Sequence, residues 1–208
     1  MLDSGETYSE YAGVDLTQLS DEELVKICKL ELPETVRAYK ILIRRHEALI
    51  YNSCAKLLGN PQDAEEVAQD TLIQLFHKLH QFEGRSSFKT WLYRIVHNYC
   101  KNRISKQIRH RKGQEAIEKH ADHFGSDVYD QHDSQEQSEL VNAALAKLKD
   151  QDREIIVLKY MSGLTIEEIS EVMELGLSAT KMRLYRALDS FKLAYGRVDK
   201  DGSPSEVS

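Results

Sequence analysis

Residues 163–192 read GLTIEEISEVMELGLSATKMRLYRALDSFK. Gly163 closes one helix, and Thr165 with Glu168 three positions on is the pattern of a capping box, in which the threonine side chain takes one free amide and the glutamate reaches back to another. The helix opened there runs to Met173, and a short turn leads to Ser178, which caps the next. Two helices joined this way have helix-turn-helix spacing. In the second helix Thr180, Leu184, Leu188 and Phe191 form the inward stripe. Ser178, Ala179, Lys181, Met182, Arg183, Tyr185 and Arg186 are left available for a DNA groove. A plain helical hairpin with a solvated basic face fits the pattern about equally well, so these residues decide architecture before they decide chemistry.

Upstream, Glu139–Lys149 and Asp152–Met161 carry amphipathic patterns of the same kind. Before them, residues 109–138 are polar and acidic with no sustained apolar stripe, as in a linker. The N-terminal part is again helical. Ser20 with Glu23 predicts a second capping box opening a short helix through Leu30, and Pro33 restarts the chain. Thr35–Leu58 follows and is stopped by Gly59-Asn60-Pro61; then come Asp63–Leu79, a break at Glu83-Gly84, and a long helix over Ser87–Ile108. The expected fold is all-α: two small helical domains joined by a flexible acidic linker, the second with a helix-turn-helix. The boundaries expected are 1–19 as a disordered acidic lead, 20–108 as the first domain, 109–138 as the linker, 139–195 as the second domain and 196–208 as a disordered tail.

Composition agrees with that plan. Ten glycines and three prolines in 208 residues favour long uninterrupted helices. No stretch approaches the roughly 18 apolar residues of a membrane span, and the acidic start MLDSGETYSEYAG is unlike a signal peptide, so no stable membrane insertion is expected and the cytoplasm is the expected location. Cys28, Cys54 and Cys100 are widely spaced in apolar surroundings, which suits buried reduced thiols. His77 with His80, and His120 with His123, lack cysteine ligands at zinc spacing, so no metal is expected. Phosphate-binding loops, nucleophile elbows and zincin motifs are absent; no catalytic residue and no cofactor are expected, and the chain is not expected to be an enzyme.

The formal net charge of -6 argues against nucleic acid only until its distribution is examined. Arg85, Lys89, Arg94, Lys101, Arg103, Lys106, Arg109, Arg111 and Lys112 follow one another without an acid between them, interleaved with Trp91, Tyr93 and Tyr99. Cations alternating with aromatic rings suit a nucleic-acid surface, while Trp91 and Tyr93 suit a core position as well. Pro61–Asp70 is the converse, with Asp63, Glu65, Glu66 and Asp70 and no base. Separate charged surfaces imply separate partners.

Phe82–Gln107, FEGRSSFKTWLYRIVHNYCKNRISKQ, resembles the region 2 promoter-binding segment of extracytoplasmic function (ECF) sigma factors, of the sigma-70 family. Asp63–Leu72, DAEEVAQDTL, resembles that family's acidic polymerase-binding helix, and Gly163–Lys192 resembles its region 4. The resemblance implies a non-catalytic specificity subunit that binds core RNA polymerase and directs promoter-specific initiation. It implies that Asp63, Glu65, Glu66, Gln69 and Asp70 grip the β′ coiled coil. Phe82, Ser86, Ser87 and Phe88, with Arg94, Asn98, Lys101 and Arg103, would take the -10 element, holding an extruded base and nearby phosphates as the duplex melts. Ser178, Ala179, Lys181, Met182, Arg183, Tyr185 and Arg186 would read the -35 element, and region 4 would also dock on the β flap. An anti-sigma factor is the implied inhibitor, which would hold the chain at the membrane where that factor is itself membrane-bound. Departures from the family pattern are Glu174, where a glycine is common in the turn, and Ser178-Ala179-Thr180 in place of Gly-Thr-Val. Two rivals predict different partners: a free-standing repressor or activator would bind duplex operators without polymerase, and a helical adaptor would bind only proteins.

Overall fold

The computed structural model describes residues 14–114 and 135–202; the expectations for the acidic lead before residue 14, for the middle of the linker and for the last six residues lie outside the described residues. The described residues form eight α-helices and no strand, apart from two short 3-10 turns at Leu16–Gln18 and Leu79–Gln81.

Local signals set most helix ends. Helix α1, Asp21–Glu31, opens on the capping box of Ser20 and Glu23, both of whose bonds are present. Helix α2, Arg37–Leu58, has no cap from its own N-cap residue, Val36; instead buried Glu31 accepts the Ala38 N–H at 3.1 Å. It ends at Gly59, whose φ of 66° is the left-handed conformation that glycine adopts without a Cβ clash. Helix α3, Pro61–Lys78, has Pro61 in its first turn, where the missing N–H costs nothing, and the Asn60 side chain caps Asp63. Helix α4 is Phe88–Gln114 and outruns its expected end at Ile108. The loss of an apolar stripe after Ile108 marked that boundary, and a helix can continue without one.

The second half holds α5, Gln135–Ala146; α6, Asp150–Ile156, which widens into an i→i+5 turn over Val157–Met161; α7, Ile166–Val172; and α8, Leu177–Gly202. Residues 135–138, expected as linker, are thus helical, and α8 extends past the expected end near Tyr195. The capping box of Thr165 and Glu168 opens α7. The turn after it is closed in the Schellman manner, Leu175 N–H donating to the Ser170 carbonyl at 2.9 Å, with Glu174 at φ 54°.

That turn gives a direct expectation. A side chain in the left-handed region costs about 1–2 kcal/mol, and glycine returns part of the gain through its greater unfolded-state freedom. Glu174→Gly should therefore stabilise the chain by about 0.5–1 kcal/mol, a Tm rise of about 1–4 °C in a thermal melt. A fall in Tm would mean that the Glu174 side chain stabilises the turn by some other route.

The two halves share one core. Leu24, Leu42, Ile50, Leu75, Leu92 and Phe88 are fully buried in the first, Ile155, Leu164 and Ile169 in the second, and all belong to one continuous cluster. Each such aliphatic side chain contributes about 1.5–3 kcal/mol by leaving water. Helix α2 packs on α1 and α3 and also on α6 and the wide turn, while α4 packs on α7. Polar groups cross the seam as well: buried Ser53 and Ser162 share a hydrogen bond of 3.2 Å, Lys56 reaches Asn142, and His97 Nε2 lies 2.6 Å from Glu154 Oε1. The expected all-α architecture of two helical parts is present, and the sequence pattern did not specify this seam between them.

Candidate polymerase and nucleic-acid surfaces

The start of α4 is assembled from three elements. Ser87 caps it, taking the Thr90 N–H at 3.1 Å, and the Phe88 N–H donates to Glu22 of α1 at 3.1 Å. Behind this turn Phe82, Phe88 and Trp91 pack ring on ring, with the Phe82 and Trp91 centroids 5.4 Å apart, and His46 lies edge-on to Phe88 at 5.5 Å. Asp21 fixes that histidine at 2.6 Å and takes Arg45 at 2.9 Å. The His46 hydrogen bond, with Arg45, holds the Asp21 carboxyl below the ordinary aspartate range against the opposing effect of burial.

Two expected -10 residues lie inward here. Phe88 is fully buried and Phe82 nearly so, because both rings complete the core beneath the turn. Tyr93 takes the core alternative, fully buried, and burial pushes its phenol above the ordinary range. Trp91 is packed against the same core, half-buried. Of the others, Ser86 and Arg94 are half-buried, while Ser87, Asn98 and Lys101 are exposed along α4.

Arg103, a further residue expected at the -10 element, has partners within the chain. Its guanidinium faces α3, 3.6 Å from Asp63 and paired also with Glu66, and Gln107 donates to Asp63 at 2.5 Å. These contacts tie α4 to the acidic helix. Along α3, Ala64, Val67, Ala68, Thr71 and Leu75 point inward, which turns Glu65, Glu66, Gln69 and Asp70 outward together, with Asp63 half-buried at the edge.

On α8, Thr180, Leu184 and Ala187 are buried against the helices beneath, with Leu188 and Phe191 packed alongside. Ser178, Ala179, Lys181, Met182, Tyr185 and Arg186 are exposed and Arg183 is half-buried beside them. Met182 and Tyr185 keep more than half their surface.

Sequence reasoning missed the partners of the α4 turn. Glu168 uses one oxygen for its own capping box and the other for Ser87 at 3.0 Å and Thr90 at 2.8 Å. Arg94 pairs with Glu171 at 3.0 Å, and Lys89 Nζ donates to the Gly163 carbonyl at 3.4 Å. Only the local half of the Glu168 arrangement leaves a pattern in sequence. All three cysteines are buried and free, with Cys54 and Cys100 sulfurs 3.7 Å apart; burial pushes the Cys28 thiol up to about 12. Among the described residues no group of three or more His, Cys, Asp or Glu side chains is arranged to hold a metal ion, and no helix is long and apolar enough to cross a membrane.

Residues 42–110 match the family description Sigma-70 region 2, and residues 138–190 match Sigma-70, region 4; together they span more than half of the chain, in order and on the helices just described. The chain belongs to the sigma-70 family. Its relatives place it among the ECF sigma factors. It is 29% identical to ECF RNA polymerase sigma factor SigW of Bacillus subtilis over 163 residues, covering 74% of this chain and 87% of that one. It is 27% identical to RNA polymerase sigma-H factor of Pseudomonas aeruginosa, covering 86% and 95%. In fold, this sigma factor is similar to RpoE of Bartonella quintana, solved in complex with the anti-sigma factor NepR, at TM-score 0.64 and 23% identity over 76% of this chain and 97% of that one. It is also similar to CnrH, solved with the cytosolic domain of CnrY, at TM-score 0.60 and 22% identity over 88% and 99%. Its function is promoter-specific initiation of transcription.

Proposed function

We propose that this sigma factor acts as a non-catalytic subunit of RNA polymerase, binding the core enzyme through the acidic face of α3, the -10 element through the exposed side of α4, and the -35 element through α8. The observation that carries this is the division of α8 into a buried stripe and an open polar face, in a chain that also presents an uninterrupted acidic face on a separate helix. Glu65, Glu66, Gln69 and Asp70 would meet the β′ coiled coil, with Asp63 and Arg103 setting their geometry. Ser86, Ser87, Arg94 and Asn98 would hold an unpaired -10 base and its phosphates, Lys101, Lys106 and Arg109 adding charge along the strand. The exposed Met182 and Tyr185 beside the basic residues of α8 suit the apolar edge of a major-groove contact. The β flap is the further partner of this half. Sequestration by an anti-sigma factor, in the cytoplasm or at the membrane, is supported by the solved complexes of the fold relatives.

The -35 reading is tested with reconstituted holoenzyme on a panel of -35 substitutions at several salt concentrations. Arg183→Ala or Arg186→Ala should relax discrimination at particular positions by about 1–3 kcal/mol. Lys106→Ala and Arg109→Ala should instead scale all sequences alike and flatten the salt slope by about 0.7–0.9 each. If the α8 variants also scale every sequence equally, those arginines clamp phosphates and do not read bases.

A further inference from the structure

Cys54 of α2 and Cys100 of α4 stand 46 positions apart in sequence, and the fold brings their sulfurs to 3.7 Å, the Cys100 thiol donating to Cys54. Both side chains are shut off from solvent, and neither is oxidised. A buried thiol packs as a small hydrophobe, and what it adds beyond packing is sulfur chemistry. The sulfurs of a disulfide lie about 2.05 Å apart, about 1.7 Å closer than this contact, a gap that side-chain torsions and a slight helix shift can cover. Cys28 of α1 is the internal contrast: it is as buried, no second sulfur touches it among the described residues, and burial with Glu31 pushes its thiol up to about 12. The Cys54 contact, and then burial, also hold the Cys100 thiol above the ordinary range. Thiolate is therefore scarce while α2 and α4 are packed, and reaction with an outside oxidant waits on local opening.

We propose that Cys54 and Cys100 form a redox-modification site, at which a peroxide converts the two thiols into a disulfide that staples α2 to α4. One sulfur, as thiolate, attacks the peroxide; the O–O bond breaks, the sulfur becomes a sulfenic acid, and the other oxygen leaves, protonated, as water or an alcohol. The second sulfur, already in contact, attacks the first. The S–S bond forms, the S–O bond breaks, and water leaves with the remaining thiol proton. Two electrons have then passed from the sulfurs to the peroxide, and an external dithiol returns them. The contact steers the sulfenic acid to the disulfide, because it meets a second sulfur before it meets more peroxide. The bond closes residues 54–100 into one loop that contains all of α3, so it constrains the unfolded state of the half that carries the acidic face.

Hydrogen peroxide added to the folded full chain tests this. Catalase stops the reaction, the remaining thiols are alkylated in denaturant, and the intact chain and its peptides are weighed by mass spectrometry. The expected product has lost about 2 Da to the new bond, is alkylated at Cys28 alone, and yields a linked Cys54–Cys100 peptide that dithiothreitol abolishes. It should unfold in urea at a midpoint about 1 M above that of the reduced chain. Oxidation in concentrated urea should instead give links to Cys28 as well, showing that the fold selects the pair. Cys54→Ser or Cys100→Ser should divert the thiol left behind to sulfinic acid, which dithiothreitol does not restore, whereas Cys28→Ser should leave the link intact. The exposed Met182 gauges the dose. Three alkylatable thiols in chains whose Met182 is already oxidised would show the pair to be inert core. A link through Cys28 in the folded chain, or a urea midpoint no higher than that of the reduced chain, would also overturn the proposal.

Discussion

Arg153→Leu is expected to lower the unfolding free energy by about 3–5 kcal/mol, the largest stability loss of any single substitution considered for this chain. The side chain is only 7% exposed, and it donates four hydrogen bonds to backbone carbonyls. Nε donates to Leu145 at 3.0 Å, Nη2 to Ala146 at 3.3 Å and Leu148 at 3.1 Å, and Nη1 to Leu57 at 3.1 Å. Ala146 ends α5 and Leu57 lies in the last turn of α2, where carbonyls have no partner within the helix. One guanidinium therefore serves two helix C-termini, one from each half, and favours both electrostatically. Burial pulls its pKa below the ordinary arginine value and Asp150 at 3.8 Å pulls it back up. A leucine fills part of the volume but leaves these carbonyls dry and unmatched, which is the costly case. Urea unfolding at neutral pH measures the loss. Arg153→Lys keeps the charge without the fork and should lie between; a loss below about 1 kcal/mol for the leucine variant would mean that water replaces the guanidinium freely.

Arg153 also shows where the sequence stopped being legible. The capping boxes of Ser20 with Glu23 and Thr165 with Glu168, the Gly59 stop and the Thr180, Leu184, Leu188, Phe191 stripe were readable because each is complete within a turn or two of helix. The division of α3 into apolar and acidic faces was readable for the same reason. What failed was non-local. Arg103 looks like every other base of α4 until Asp63 and Glu66 are brought beside it by helix packing. Phe82 and Phe88, surrounded in sequence by polar and charged residues, look like exposed rings until the short turn folds them onto Trp91 and His46. The second oxygen of Glu168 has partners some 80 residues earlier, and its capping box already accounts for the glutamate locally, so nothing in the pattern asks for more. The seam between halves was hidden likewise, because Arg153 and Ser162 sit in segments whose periodicity predicts only a helix and its end.

The pairing of Arg103 changes which acidic residues carry the strongest prediction for polymerase binding. Asp63 and Glu66 are partly neutralised from within, whereas Glu65 and Asp70 are exposed and neither is ion-paired to a described residue. Glu65→Lys with Asp70→Lys should weaken binding to core polymerase by about 100-fold or more, because placing like charges against a cationic coiled coil costs several kcal/mol. The same pair should leave the unfolding midpoint nearly unchanged, within about 0.5 kcal/mol per site, since neither side chain touches the core. Glu66→Lys alone is less clean: it frees Arg103 as well as reversing a charge, so the local geometry of α3 changes with the potential. Arg103→Gln probes that other route. It adds a net negative charge to the face while loosening its tie to α4, so an affinity that falls despite the gain in charge would mark geometry as limiting, and an affinity that rises would mark charge as limiting. Titration of labelled chain with core enzyme at two ionic strengths decides the main point. The double reversal should hurt most at low salt and recover as screening rises. Core affinity within about threefold of the parent chain at both salts would remove α3 from the polymerase interface, because a loss of that size is no more than a peripheral charge contributes.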